Sequence, residues 1–244
     1  MSGYKRMRSG AAVDGARNKK KKAVAKRLAL RSNRGNVWLY KMPFPEILRC
    51  TVKYSTLENL SSTSGSLARW TLASNSLYDP NATGAGAQPR YFDTLCGAAG
   101  GSAPYQQYCV ESVYIKATFI NDNTSALTIG HVGISPRQAG TPAVSDGNIA
   151  PERFGTVSAI LSTSENSHGV TVLTKNVDIA KWLSVKDLLD DEEARAVYNA
   201  SPTKQIYTDM YFQPVDGATT TSVYVKVEAW YHVAFCRRHQ VGQS

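Results

Sequence analysis

Apolar and polar residues alternate along several segments in the second half of the chain. The longest is residues 223–235, where every second position is apolar and charged residues such as Lys226 and Glu228 lie between them. Because successive side chains of a strand point to opposite faces of a sheet, this pattern predicts a long strand with one buried and one solvated face. The same alternation in residues 113–119 and 206–212 predicts two further strands.

Shorter apolar segments complete a set of about eight predicted strands, at residues 48–57, 68–73, 127–134, 157–161 and 170–175. The loops between them, such as residues 79–88 and 140–151, are rich in Gly, Pro, Asn, Asp and Ser, which favour turns. This arrangement predicts an all-β, antiparallel sandwich of two sheets, and the jelly roll is its commonest eight-stranded form. The pattern alone does not separate a jelly roll from other Greek-key sandwiches.

Two helices are predicted between the strands. Residues 185–198 present an apolar side, with Ser184 as the N-cap and Asp187 three residues later. A shorter helical turn is predicted at residues 91–96. Both are insertions in the loops of a domain whose other elements are strands.

Charge is distributed very unevenly along the chain. Of 28 Lys and Arg residues, 12 lie in the first 34 positions against a single acid, Asp14, so this segment has a net charge of +11. The rest of the chain has 16 basic and 18 acidic residues, a net charge of −2. Like charges at such density repel each other, and few large apolar groups are present to offset the entropy of ordering. We therefore expect residues 1–35 to form a disordered basic arm and residues 36–244 to fold as one domain.

The arm has the composition of a nucleic-acid-binding segment. Clustered Lys and Arg attract phosphates by charge and release counterions, with little discrimination between sequences. The predicted binding residues are Lys5, Arg6, Arg8, Arg17, Lys19, Lys20, Lys21, Lys22, Lys26, Arg27, Arg31 and Arg34. Part of this set also fits a nuclear localisation signal, namely Arg17, Lys19, Lys20, Lys21, Lys22, Lys26 and Arg27. The alternatives are a localisation signal alone, or a solubilising or membrane-surface tail.

Several classes of function are disfavoured by motifs that the sequence lacks. It contains no Gly-x-x-x-x-Gly-Lys phosphate loop, no Gly-x-Ser-x-Gly elbow and no His or Cys spacing typical of zinc. We therefore predict no enzymatic activity, no cofactor and no metal site. No apolar run is long enough to span a membrane or to act as a secretory signal, so we expect a soluble chain that is not exported. The four cysteines form no CxxC pair and are expected to be free buried thiols.

One acidic run, residues 190–193, is the only cluster of carboxylates in the sequence with the density to attract a divalent cation. Consecutive side chains on a helix point in different directions around its axis, so a solvated helix face is the favoured interpretation. An ion site between subunits, or a contact with a basic arm, is the alternative.

Residues 72–122 contain three motifs in a distinctive order. A YDPN turn at residues 78–81 is followed by QPRYFD at residues 88–93, and then by an aromatic-rich strand from Tyr108 through Val110 and Ile115 to Asn121. This order resembles the capsid proteins of the circovirus-like group, which are small circular single-stranded DNA viruses. The FCRR sequence that ends the last predicted strand, and the basic N-terminal arm, are similar to that family too. The arm is lysine-rich, whereas circovirus arms are typically arginine-rich.

The resemblance implies a single jelly-roll shell domain of a structural protein. About 60 copies would assemble into a T=1 icosahedral virion, with the arms facing inward on the single-stranded DNA genome. It also implies entry into the host nucleus through an import receptor, and a cell-surface receptor. Coat proteins of small positive-strand RNA viruses share the fold and the arm, and a monomeric nuclear nucleic-acid-binding module is an alternative from another class.

Contacts between subunits are expected at aromatic residues in loops, because Tyr and Trp often anchor interfaces. Each candidate is equally compatible with a place in the core. The candidates are Trp38, Tyr40, Phe44, Tyr78, Tyr91, Phe92 and Trp182.

Overall fold

The computed structural model describes residues 44–83, 87–98, 101–121, 129–161, 169–216 and 220–238. The chain divides into two compact units, residues 1–45 and 46–244, and every strand and helix in the described residues belongs to the second. The predicted arm, residues 1–35, lies outside the described residues.

The described residues form nine strands and very little helix. The strands are β1 (Leu48–Ser62), β2 (Ala68–Ala73), β3 (Tyr105–Ile120), β4 (Gly130–Gln138), β5 (Val157–Leu161), β6 (Val170–Asp178), β7 (Ala196–Val197), β8 (Ile206–Pro214) and β9 (Thr221–Arg238). The helices are α1 (Phe92–Leu95), α2 (Ile179–Leu183) and a 3₁₀ turn at Ala150–Glu152. All eight predicted strands and the predicted helical turn at residues 91–96 are confirmed, while β7 was not predicted.

The strands form two antiparallel sheets. The first sheet has the order β1-β9-β3-β6, with the two-residue strand β7 also paired to β3. The second sheet has the order β2-β8-β4-β5. Strands that follow each other in sequence mostly lie in different sheets, so the chain crosses repeatedly between them. This is the strand order of a jelly roll, and the predicted all-β jelly-roll sandwich is confirmed.

The core lies between the two sheets, and β9 shows how the sequence specifies it. Its alternate residues from Val223 to Phe235 are all buried, as the period-two pattern predicted, while Lys226 and His232 are exposed. Burying an aliphatic side chain of this kind contributes roughly 1.5–3 kcal/mol. The long central strand therefore supplies much of the apolar surface that holds the sheets together.

Strand β8 departs from the predicted pattern because both of its faces are buried. The prediction placed Tyr207, Asp209 and Tyr211 on a solvated face, yet Asp209 and Tyr211 are fully buried. The loop from β4 to β5 packs over this side, where Val144 and Ala150 form a small second cluster with Tyr211. The outer face of the second sheet is thus partly covered by its own loop.

The predicted helix at residues 185–198 is wrong. The helix in this region, α2, ends before it, and Ser184 is the C-cap of α2 with a left-handed φ of 56°, rather than the N-cap of a new helix. Residues 188–195 form turns, and Ala196–Val197 pairs with β3 as a strand.

Aspartate side chains explain why this segment forms turns. Asp187 Oδ1 accepts the backbone N–H of Leu189 at 2.9 Å, and Asp191 Oδ1 accepts that of Glu193 at 2.9 Å. Such local bonds give the backbone a partner other than the helix ladder, so they favour turns over a helix. Of the residues whose spacing suggested a helix, Leu188 lies in the main core, Leu189 and Tyr198 pack partly buried against it, and Val197 is exposed.

All four cysteines are free, as predicted, and Cys96, Cys109 and Cys236 are buried while Cys50 is half-buried. Burial raises the pKa of the Cys96 and Cys109 thiols to about 12, so neither forms an appreciable amount of thiolate at neutral pH. Within the described ranges, no helix is long and apolar enough to cross a membrane.

Candidate nucleic-acid and assembly surfaces

The twelve predicted phosphate-binding residues of the arm, between Lys5 and Arg34, lie outside the described residues, so their role remains a prediction. The described domain has two surfaces whose side chains could bind a nucleic acid or another protein. One is the outer face of the first sheet, and the other is an exposed aromatic pair beside α2.

Strand register brings a row of polar and aromatic side chains together across the outer face of the first sheet. Lys53 on β1 lies opposite Trp230 on β9, which lies opposite Tyr114 on β3. The Lys53 ammonium is 4.8 Å from the centre of the Trp230 ring, and the rings of Trp230 and Tyr114 are 5.6 Å apart at 49°. Tyr114 remains 39% exposed. The row therefore presents the exposed Tyr114 ring beside a half-buried Trp230 ring that has the Lys53 ammonium over it.

Lysines dominate the charge beside this row. In the next row, Lys116 on β3 lies opposite Glu228 on β9, and Lys226 lies one row further along β9. Lys53 Nζ donates to Glu228 Oε1 at 2.7 Å. This bond, with the nearby charges of Lys226 and Lys116, lowers the pKa of the Glu228 carboxyl, which is ionised at neutral pH. We call Lys53, Lys116, Lys226, Tyr114 and Trp230 the basic-aromatic face.

The alternation that predicts β9 also places part of this face. Residues between the apolar positions of a half-buried strand must share its other face, so Lys226 and Trp230 could be placed together from the pattern. Their neighbours Lys53 and Tyr114 come from strands far away in sequence. Only the strand order and register bring the four together.

The second surface centres on Phe154, whose side chain is 84% exposed. Its ring lies 5.5 Å from that of the half-buried Trp182, at 59°. Between them, Gly155 has a left-handed φ of 77°, and a Cβ there would lie 3.0 Å from the Trp182 ring. Glycine thus permits the turn that carries Phe154 over α2. We call Phe154 and Trp182 the aromatic knob.

A cavity of about 460 Å³ adjoins the aromatic knob. Besides the two rings, its lining includes Lys175, Asp178 and Lys181. A large exposed aromatic group beside a depression with charged walls is typical of a protein contact surface. Trp182 was predicted as an interface candidate, whereas Phe154 was missed because no pattern distinguishes it within its loop.

The other predicted interface aromatics occupy different environments. Phe92 is 1% exposed and packs in the core, so its prediction as an interface residue is corrected. Phe44, Tyr78 and Tyr91 are exposed. Trp38 and Tyr40 lie outside the described residues.

The acidic run at residues 190–193 lies on turns, so its predicted place on a helix face is wrong. Lys204 Nζ binds Asp191 Oδ2 at 3.0 Å and Glu193 Oε2 at 2.7 Å. The bond from Lys204 lowers the pKa of the Asp191 carboxyl. Two of the four carboxylates thus hold a turn against the segment before β8. No cluster of metal-binding side chains occurs in the part of the chain that the structure describes.

The residues that carry the capsid resemblance contact one another in the interior. The Tyr108 hydroxyl accepts the backbone N–H groups of Leu77 and Tyr78, at 3.2 and 3.4 Å, and donates to the Ala200 carbonyl at 2.9 Å. The Phe92 ring packs edge-on against Tyr108, with centroids 5.2 Å apart. These motif residues hold the turn at 77–81 and α1 against β3, so they act through packing.

No profile of a known protein family matches the chain, and no curated protein matches it in sequence. Solved structures that it is similar to include a chain of the mud crab tombus-like virus, with 9% identity, a TM-score of 0.45, and coverage of 85% of this chain and 100% of that one. A 60-mer of the BFDV capsid protein gives 11% identity, a TM-score of 0.43, and coverage of 82% and 100%. Desmodium yellow mottle tymovirus gives 13% identity, a TM-score of 0.41, and coverage of 81% and 93%.

Proposed function

We propose that this chain is a viral capsid protein that assembles into a closed shell and packages a nucleic acid genome. The observation that carries the proposal is the division of charge, +11 in the first 34 residues and −2 in the rest. A nearly neutral domain can associate with its own copies without strong repulsion, while a basic segment at one end neutralises phosphates. The jelly-roll domain, residues 36–244, is the shell, and residues 1–35 are the packaging arm.

The charge of the arms sets the scale of the packaged strand. In a T=1 shell of about 60 copies, arms of +11 each supply about 660 positive charges. This suits a strand on the order of a thousand nucleotides or more, with other counterions neutralising the remaining phosphates. The protein is then structural rather than catalytic, and its place is the virion.

The aromatic knob supports the assembly part of the proposal. A ring that is 84% exposed contributes little to the stability of an isolated domain, because most of its apolar surface stays in water. Burial of such a ring in a neighbouring copy would make it an anchor of the contact.

We propose single-stranded DNA as the genome, on the motif resemblance in residues 72–122, and entry into the host nucleus through residues 17–27 of the arm. Single-stranded RNA is the competing cargo. Nucleic acid extracted from purified particles would be treated separately with DNase and RNase. Degradation by DNase alone is the expected result, and degradation by RNase alone would place the protein with RNA virus coat proteins.

The role of the arm is tested by replacing Lys19, Lys20, Lys21 and Lys22 with Gln in the full chain. Each lost phosphate contact should reduce the salt dependence of single-strand binding, by about 0.7 in the slope of log Kd against log salt, or about 2.8 for four lysines. Replacing Lys186, which is exposed in the folded domain, with Gln is the control. An unchanged slope in the arm variant would contradict the proposed arm. Retention of this variant in the cytoplasm of transfected cells would support the nuclear signal.

A further inference from the structure

We propose that the basic-aromatic face is a second nucleic-acid contact surface, formed by the folded domain itself and separate from the arm. Unpaired bases would stack on Trp230 and Tyr114, while Lys53, Lys116 and Lys226 bind the neighbouring phosphates. This inference rests on the proposed function, because it assumes that the shell encloses a single strand.

Tyr114 and Trp230 lie side by side, and a base stacked on Trp230 would take the place of the Lys53 ammonium that lies over its ring. Trp230 and Tyr114 occupy directly opposite positions of β9 and β3, and neighbouring strands lie about 4.8 Å apart. The two rings thus form one continuous aromatic patch on a sheet. Base stacking on such rings is tolerant of sequence, since every base has an aromatic face. A rigid sheet also binds without the entropy cost of ordering a loop.

The lysines lie beside the rings, one on each of the three strands β1, β3 and β9. Lys53 lies beside Trp230 on one side, and Lys116 and Lys226 occupy the following rows on the other strands. In the central rows three lysines face one carboxylate, Glu228, so this patch is positive on a domain whose net charge is negative. Among the described residues, Lys116 and Lys226 form no ion pair within 4 Å, so both ammonium groups are available to phosphates.

Charge favours a nucleic acid over a second copy of the chain at this face. A twofold contact between two such faces would bring the same lysines of both copies together, and like charges that face each other are destabilising. The exposed apolar residues of this sheet, such as Leu57 and Val172, begin only at the row of Lys226. The rows of Trp230 and Glu228 contain polar residues such as Ser55 and Thr174, so the centre of the face is polar, unlike the centre of a stable protein interface. Aromatic rings among lysines, two of which form no ion pair, are instead the composition of single-strand binding surfaces.

The test measures binding of a fluorescent 30-nucleotide single strand to full-length protein over a range of salt. The lysine variant is Lys116→Gln with Lys226→Gln, since neither forms an ion pair whose loss would leave a carboxylate alone. Its salt slope should fall by about 1.4, twice the value for one phosphate contact. The control Lys186→Gln, on the exposed segment after α2, should keep the original slope.

Stacking is tested at high salt, where binding by the arm is weakest. Trp230→Leu should weaken binding there by about 5- to 150-fold, the range measured for one stacked base, without changing the salt slope. Trp230→Phe keeps a ring and should recover most of the affinity, which separates stacking from a packing defect. Tyr114→Leu should behave like Trp230→Leu, whereas Tyr78→Leu, with a similar exposure of 42% but off the face, should bind like the original.

The outcomes separate this inference from the proposed function. If the face variants bind like the original protein at every salt concentration while the arm variant loses affinity, the face proposal is wrong and the packaging arm stands. If Trp230→Phe binds as weakly as Trp230→Leu, stacking is wrong. If neither the arm nor the face variants differ from the original, the proposed function fails as well.

Discussion

Arg137 and Asp209 form an ion pair between β4 and β8, with Arg137 Nε 2.8 Å from Asp209 Oδ2. Asp209 is fully buried, and it also accepts the Thr71 hydroxyl at 2.8 Å and the Val144 backbone N–H at 3.4 Å. One carboxylate therefore joins three strands of the second sheet to the loop that covers it. Arg153, which precedes Phe154, donates to the Pro142 and Ala143 carbonyls of the same loop, at 2.9 and 3.3 Å, so the loop is also bonded to the segment that contains the aromatic knob.

Removing the carboxylate should destabilise the domain strongly. Asp209→Ala leaves the charge of the Arg137 guanidinium without its carboxylate partner, and it deprives Thr71 and Val144 of their hydrogen-bond acceptor. We therefore expect a loss of about 3–5 kcal/mol in the free energy of unfolding. Urea unfolding measures it, with Asp190→Ala on an exposed turn as the control. The double variant Arg137→Met with Asp209→Leu should lose less than Asp209→Ala alone. Equal losses in Asp209→Ala and Asp190→Ala would show that the pair has no structural role.

Gly133 allows the Tyr211 ring to approach β4 closely. A Cβ at this position would overlap the Tyr211 ring, so Gly133→Ala should cost about 1–3 kcal/mol in the free energy of unfolding through overpacking. In a Tyr211→Leu background the same substitution should cost clearly less, because the obstructing ring is gone. A double-mutant cycle by thermal or urea unfolding measures the difference, and a coupling energy near zero would contradict the close packing.

The ion pair of Asp191 with Lys204 should make the turn at 188–195 sensitive to acid. The pKa of Asp191 is lower in the folded protein than in the unfolded chain, so its stabilisation is present above the unfolded value and is lost as the pH falls through the folded value. The difference in the free energy of unfolding between the original and Asp191→Asn should therefore be largest above about pH 5 and shrink below about pH 4. A difference independent of pH would mean that the charge of Asp191 is not what stabilises the turn.

The aromatic knob should matter for assembly rather than folding. Phe154→Ala removes a ring that is mostly in water, so the free energy of unfolding should change by no more than about 0.5 kcal/mol, while shells should form poorly or at higher protein concentration. Light scattering during assembly measures the effect. Leu57→Ala removes a similarly exposed apolar side chain from the first sheet and is the matched control. Normal assembly of Phe154→Ala would exclude the knob from the subunit contacts.

Sequence patterns predicted the strands well because alternation reports burial on one face. Strand β9 follows the rule along its length, but β8 does not, since a loop buries the side that carries Asp209. Local bonds of Asp187 and Asp191 to the backbone overrode the helical spacing at 185–198. A prediction from the period of apolar residues does not take such side-chain bonds to the backbone into account.

One of the candidate surfaces could be predicted from the sequence, and the others could not. The basic arm is a local property of composition, so the sequence alone predicts it. The basic-aromatic face depends on Lys53, Tyr114 and Trp230, which are far apart in sequence. They meet only through the register of β1, β9 and β3. Phe154 lies in a loop whose pattern carries no information about exposure.

The most direct test of the central claim is the size and shape of the purified full-length protein. Sedimentation velocity with negative-stain electron microscopy should find uniform closed particles, about 20 nm across, of about 60 copies of the 26.6 kDa chain. Their mass without nucleic acid should be about 1.6 MDa, and absorbance near 260 nm should sediment with them. A protein that remains monomeric at all concentrations and salt conditions, with or without single-stranded nucleic acid, would contradict the proposal that this chain forms a capsid.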